Sequence, residues 1–160
     1  MATLDQIYSY DQALETAWMN ILQDAFDTEF ATPPQVAIEQ SDALKVTPFV
    51  DVQLRDVSAF NQTHLSNGVT FYNAWEAHLV SRVTTQRGKN SDQQSLIIGK
   101  IRAQAANWRE LLTRDNLPYH CLLEMKDAGL HRGLILDQML DWSEVIHLVK
   151  FGIRDDVWPF

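Results

Sequence analysis

The chain has 160 residues, 46% of them hydrophobic and 21% charged, a size and balance that suit one domain able to bury a core without metals or disulfides. Its 13 Lys and Arg against 21 Asp and Glu leave a formal net charge of −8, which argues against holding nucleic acid by its phosphates, because that requires clustered cations. The single cysteine, Cys121, rules out an intrachain disulfide, no apolar run approaches the roughly 18 residues of a membrane span, and MATLDQIYSYD has neither the basic nor the apolar part of a secretory signal.

The first expected element is a helix over residues 11–30. Leu14, Trp18, Ile21, Leu22, Ala25 and Phe26 recur at steps of three and four and form one apolar stripe. Ser9 or Asp11 can cap it, and Pro33 ends it by pushing Thr32 out of the helical region. Residues 35–48 read as a short strand and a turn. FVDVQLRDV, residues 49–57, alternates Val50, Val52 and Leu54 with Asp51, Gln53 and Arg55, the pattern of a half-buried strand. SAFNQTHLSNG then reads as a loop ending in the turn signal Asn67-Gly68. VTFYNAWEAHLVSRVTT reads as one long strand, bulged near Asn73, with Trp75, Ala77, Leu79, Ser81 and Val83 on one face. Glu76, His78, Val80 and Arg82 take the other.

The next stretch, VTTQRGKNSDQQ, carries Gly88-Lys89 and so raises the question of a phosphate-binding loop. That loop needs a glycine five residues before Gly88 and Ser or Thr after the lysine; the chain has Val83 and Asn90. The segment instead reads as a turn, Gln86-Arg87-Gly88-Lys89-Asn90, followed by a capping box of Ser91 and Gln94. The helix after it, expected over 92–113, places Ile97, Ile101, Ala105, Trp108 and Leu112 on one side until Asn116-Leu117-Pro118 breaks it. YHCLLEM, residues 119–125, reads as a strand. Residues 127–143 read as a turn at Asp127-Ala128-Gly129 and an irregular or partly extended connection. EVIHLVKFGI closes the core, with Val145, His147, Val149, Phe151 and Ile153 on one face. Helix, strands, helix, strands is the order of an α+β fold: a largely antiparallel sheet packed by two main amphipathic helices, as a single domain over 1–160 with an arm at 1–10 and a tail at 154–160.

Catalytic signals are sparse. Glu76 and His78 point the same way on a strand and could share a metal, and His120 and His147 could meet only on neighbouring strands, but no recognised ligand spacing occurs. Cys121 alternates with apolar residues, as a buried inert thiol does. Asp137 and Asp141 stand four apart, on one face if the segment were helical, but they read as turn and cap residues around a loop. No Gly-x-Ser-x-Gly elbow is present. No metal, nucleotide or other cofactor is therefore expected. Trp18, Trp75 and Trp108 sit on apolar stripes, as core residues would. Trp142 falls in the expected connection, and Trp158-Pro159-Phe160 follows the last strand, either folded back on the sheet or serving as an interface anchor.

The layout resembles the tail-terminator, or tail-completion, proteins of long-tailed bacteriophages, which belong to the virion neck. The resemblance is carried by the first helix, TPFVDVQLRDV, AWEAHLVSRVTTQRGKN, IIGKIRAQAANW, LPYHCLLEM and VIHLVKFGIRDDVWP, together residues 11–159. It implies a virion structural protein, made in the host cytoplasm, that forms a cyclic ring, commonly a hexamer. Such a ring ends the tail tube, joins it to the head connector or another neck protein, and lets DNA pass through without binding it tightly; no membrane is involved. Residues Gln86, Arg87, Gly88, Lys89, Asn90, Trp158, Pro159 and Phe160 would then be interface candidates, and Asp155 and Asp156 candidates for the channel lining. Two other readings stand beside it. One is a generic homo-oligomeric interaction module; the other is a small enzyme with a pocket between helix and sheet, which would need His78, His120 or His147 to converge with carboxylates.

Overall fold

A computed structural model describes residues 10–38, 47–60, 65–66, 69–86, 91–112, 120–135 and 140–154. Helix α1 spans Tyr10–Glu29, and strand β1 (Gln35–Ile38) follows the Pro33-Pro34 stop. Strands β2 (Phe49–Phe60), β3 (Leu65–Ser66) and β4 (Val69–Gln86) come next. After them lie helices α2 (Ser91–Ala106) and α3 (Trp108–Leu111), then strands β5 (His120–Ile135) and β6 (Leu140–Arg154). The sheet order is β1-β2-β4-β6-β5, with β3 paired to β4. Among the described strands β1 and β2 run parallel, and the other pairings are antiparallel. The α+β class and the largely antiparallel sheet are thus as the sequence indicates.

Both main helices feed one core. Leu14, Trp18, Leu22 and Phe26 of α1 and Ile97, Ile101 and Ala105 of α2 are buried together with Val50, Val52, Ala77, Leu79, Val83, Val145, Val149 and Phe151 of the sheet. These strand residues occupy alternate positions, so the period of two puts them all on the helix side. Burying each large aliphatic or aromatic side chain contributes about 1.5–3 kcal/mol, so this face dominates stability. Trp18, wholly buried, gives its indole N–H to Ser81 Oγ at 2.9 Å, which satisfies both polar groups in the core. Further along α1, Glu15 accepts the Leu54 amide at 3.0 Å and Gln23 accepts the Val36 amide at 2.9 Å. Helix α1 therefore holds the sheet by its backbone as well as by packing.

Three segments depart from the sequence reading. β2 does not stop at residue 57: Ser58, Ala59 and Phe60, expected in a loop, pair with Glu76, Trp75 and Ala74. A register shift between Arg55 and Ser58, with Asp56 at φ 56°, breaks the alternation without ending the strand. Asp127-Ala128-Gly129 is likewise a bulge inside β5, not a turn. Gly129 has φ 121°, a conformation that glycine adopts readily, and its amide donates to Asp127 Oδ1 at 2.9 Å. The irregular or partly extended connection expected over 127–143 is regular strand up to Ile135 and again from Leu140. The second helix breaks at Asn107, whose amide turns tightly onto Gln104 O at 3.1 Å, so that α3 restarts at Trp108. The bulge expected near Asn73 is present as a register shift between Phe71 and Asn73.

Replacing Trp18 by Phe leaves the Ser81 hydroxyl buried without its donor, and Ser81→Ala does the same to the indole. Each variant should lose about 1–3 kcal/mol in urea unfolding, and the double variant should lose less than the sum of the two.

Candidate functional site

The side of the sheet away from the helices is built from charges laid over a small apolar strip. Val80 is only 2% exposed yet lies outside the helix-side core. Arg55, across from His78, reaches over the central strand to Glu144, across from Arg82, and closes an ion pair of 2.8 Å. That diagonal crosses Val80, and Arg55 Nε also donates to Gln53 Oε1 at 2.8 Å. The aliphatic stem of Arg55 thus covers Val80 where no helix does. One step along β4, the Arg82 guanidinium stands 4.6 Å from the centre of the Trp142 ring. A Cβ on Gly133 would fall 2.2 Å from Trp142 Cζ2, so only glycine leaves room for the indole there. Towards β5, Glu124 accepts from Lys126 at 2.8 Å and Lys150 at 3.3 Å. The Lys126 hydrogen bond, aided by Lys150, holds the Glu124 carboxyl below its ordinary range. Trp142 is therefore a strand residue packed on a glycine, not part of a connection.

The histidines do not converge. His78 lies on the helix-free side, its Nδ1 3.2 Å from Asp56 Oδ2, while Glu76 sits across from Lys150. His147 points into the opposite side, 2% exposed and edge-on to Trp18 at 6.4 Å. His120 pairs with Ile153, six positions along β6 from His147 and so about 20 Å away at 3.3 Å per residue. Among the described residues no three His, Cys, Asp or Glu side chains are grouped so that they could hold a metal. Asp141 belongs to β6, across from Thr85, which removes the helical spacing to Asp137; Asp137 itself lies outside the described residues. Cys121 pairs with Gly152 on β6.

Gln94, near the start of α2, reaches both neighbouring strands. Its amide donates to Thr85 Oγ1 at 3.1 Å and to the Asp141 carbonyl at 3.4 Å, and its Oε1 accepts from Ser143 Oγ at 2.8 Å. Gln94 thereby ties the start of α2 to β4 and β6, a role beyond the capping box expected of it. Gln86 ends β4 exposed, across from Leu140. Arg87, Gly88, Lys89, Asn90, Asp155, Asp156, Trp158, Pro159 and Phe160 lie outside the described residues.

A cavity of about 890 Å³ forms a groove between the outer side of α1 and the end of the α2–α3 segment. Small and polar residues line it, among them Ala13, Thr16, Ala17 and Asn20, and its charged lining residues are Asp24 and Glu110. This groove and the Arg82–Trp142–Gly133 stack escape sequence reading. The one sign of the groove is the recurrence of Ala and Thr along α1 beside the apolar stripe. No described helix is long and apolar enough to cross a membrane. A scan of protein-family models and a search of curated proteins each found no match to this chain.

Burial pushes the His147 imidazole below its ordinary value; Asp127 of β5 pulls it back and Arg102 of α2, itself paired to Asp127 at 2.9 Å, lowers it further. The unfolded chain therefore takes up the proton first as pH falls below about 6.5, the ordinary histidine value. Stability should be complete above that pH and decline below it, by at most about 1.4 kcal/mol per pH unit. Urea midpoints measured at pH 7.5 and 5.5 should differ in the native chain and draw together in His147→Phe.

Proposed function

We propose that the protein is a ring-forming subunit that ends a bacteriophage tail tube and joins it to the head connector. The observation that carries this reading is the layout: a long-stranded antiparallel sheet covered by both helices on one side, in the element order on which the resemblance to tail terminators rests. Two further features support it. The three histidines of the enzyme reading lie apart, and the described helix-free side carries the paired charges Arg55 with Glu144 and Glu124 with Lys126 and Lys150. The excess of acidic residues suits a channel that DNA slides through, since each phosphate neutralised by Lys or Arg adds salt-sensitive affinity. In this role the protein belongs to the virion neck, and its partners are further copies of itself, the tail-tube protein and a connector protein. Ring closure requires head-to-tail contacts between two different patches on each subunit.

Mixed with its tail-tube subunits, the protein should add a ring to one end of each tube in negative-stain images and halt elongation. Tubes that lengthen unchanged and carry bare ends would end the proposal. Duplex DNA should bind the native protein weakly even at low salt in a filter or anisotropy assay. Tight binding that collapses steeply on adding salt would contradict the acidic-channel argument.

A further inference from the structure

We infer that His147, Asp127 and Arg102 form a proton-sensitive latch between α2 and β5: on gaining a proton, the His147 ring takes the Asp127 carboxylate from Arg102, and α2 loses its ion pair to the edge of the sheet. Asp127 and His147 are opposed across the β5–β6 pair. Asp127 follows the core residue Met125 by two positions and reaches Arg102 of α2, so its side chain lies on the helix side. His147 lies on that side too, edge-on to Trp18. Residues opposed in this way stand with their Cβ atoms about 4.5–5.5 Å apart. His147 is buried, and among the described residues its Nδ1 has no hydrogen-bond partner. Arg102 Nε holds Asp127 Oδ2 at 2.9 Å, with both side chains nearly half exposed, while Asp127 Oδ1 accepts the Gly129 amide of the bulge.

The surroundings of His147 leave Asp127 as its partner on protonation. Helix α1 presents Trp18, whose indole N–H goes to Ser81, and β4 presents Leu79 directly opposite. On β6 itself the neighbours sharing its face, Val145 and Val149, are apolar. The charged groups that act on the ring are Arg102 of α2, which opposes an imidazolium, and Asp127 of β5, which favours one. An imidazolium shut away from water without an acceptor is strongly disfavoured. A half-exposed ion pair contributes little, and its cation can return to water. The carboxylate therefore gains more from a buried imidazolium than from Arg102, and its own exposure gives the proton a way in from solvent. Gln94 keeps the first turn of α2 on β4 and β6, and Ile97 and Ile101 stay in the core, so the change is confined to the Arg102 half of the helix.

Side-chain NMR on the full-length chain, between about pH 7.5 and 5, tests this. In the native protein the Arg102 Nε–H should lose its protection from exchange over the same interval in which the His147 ring gains its proton. His147→Phe should keep that protection throughout. Asp127→Asn retains an oxygen for the Gly129 amide but removes the charge, and it should lower the His147 midpoint below the native one; Arg102→Gln should raise it. Circular dichroism over the same range separates the local change from loss of the fold. The inference is overturned if Arg102 stays protected while His147 titrates, or if His147→Phe loses the protection as the native chain does. An unchanged His147 midpoint in Asp127→Asn, a variant that needs no change in the core, would also overturn it. So would unfolding of the whole native chain before His147 gains its proton.

Discussion

β4 is the strand on which the rest of the molecule depends, because it is paired on both sides, to β2 from Ala74 to Thr84 and to β6 from Phe71 to Gln86. Its side chains alternate, so a slip of one residue would exchange Ala77, Leu79, Ser81 and Val83 with Glu76, His78, Val80 and Arg82. Charges would then lie beneath α1 and α2, unpaired and cut off from water, at a cost no other contact could offset. The Trp18–Ser81 hydrogen bond marks the correct register within the core, since only an odd-numbered position of β4 presents a hydroxyl to the indole there. Core packing and strand pairing thus specify the same arrangement.

The two sides of the sheet are consequently different materials. One is dry and closely packed beneath the helices; the other relies on long cationic side chains to shield a narrow apolar strip, as Arg55 shields Val80. The edges are also guarded. Gln23 takes the outward amide of Val36 on β1, and β5 is interrupted by its Gly129 bulge and flanked by Lys126, Asp127 and Arg132. Short, covered or bulged edges resist pairing with a further strand.

Legibility along the sequence followed the length of each periodic run. The stripe of α1 and the alternation of β4 and β6 could be read directly, because many residues repeat one pattern before anything interrupts it. The second half of β2 and most of β5 could not. A bulge uses the same Asp and Gly residues as a turn, and only pairing partners distinguish one from the other. Trp142 was misplaced for that reason: with β5 cut short at residue 125, no glycine stood opposite to receive its ring. The groove beside α1 could not be read either, because its walls come from helices more than sixty residues apart in the chain.

By itself, then, the sequence determined the class of fold, the buried side of each long element and the absence of a phosphate-loop spacing, all of which depend on near neighbours and simple periods. Only the tertiary structure decided where strands continue through bulges, which side chains cover the helix-free surface, and that His78 and His147 face opposite ways. Those features depend on register between strands distant in sequence, and register is set by the packing of the whole core, not by any one segment.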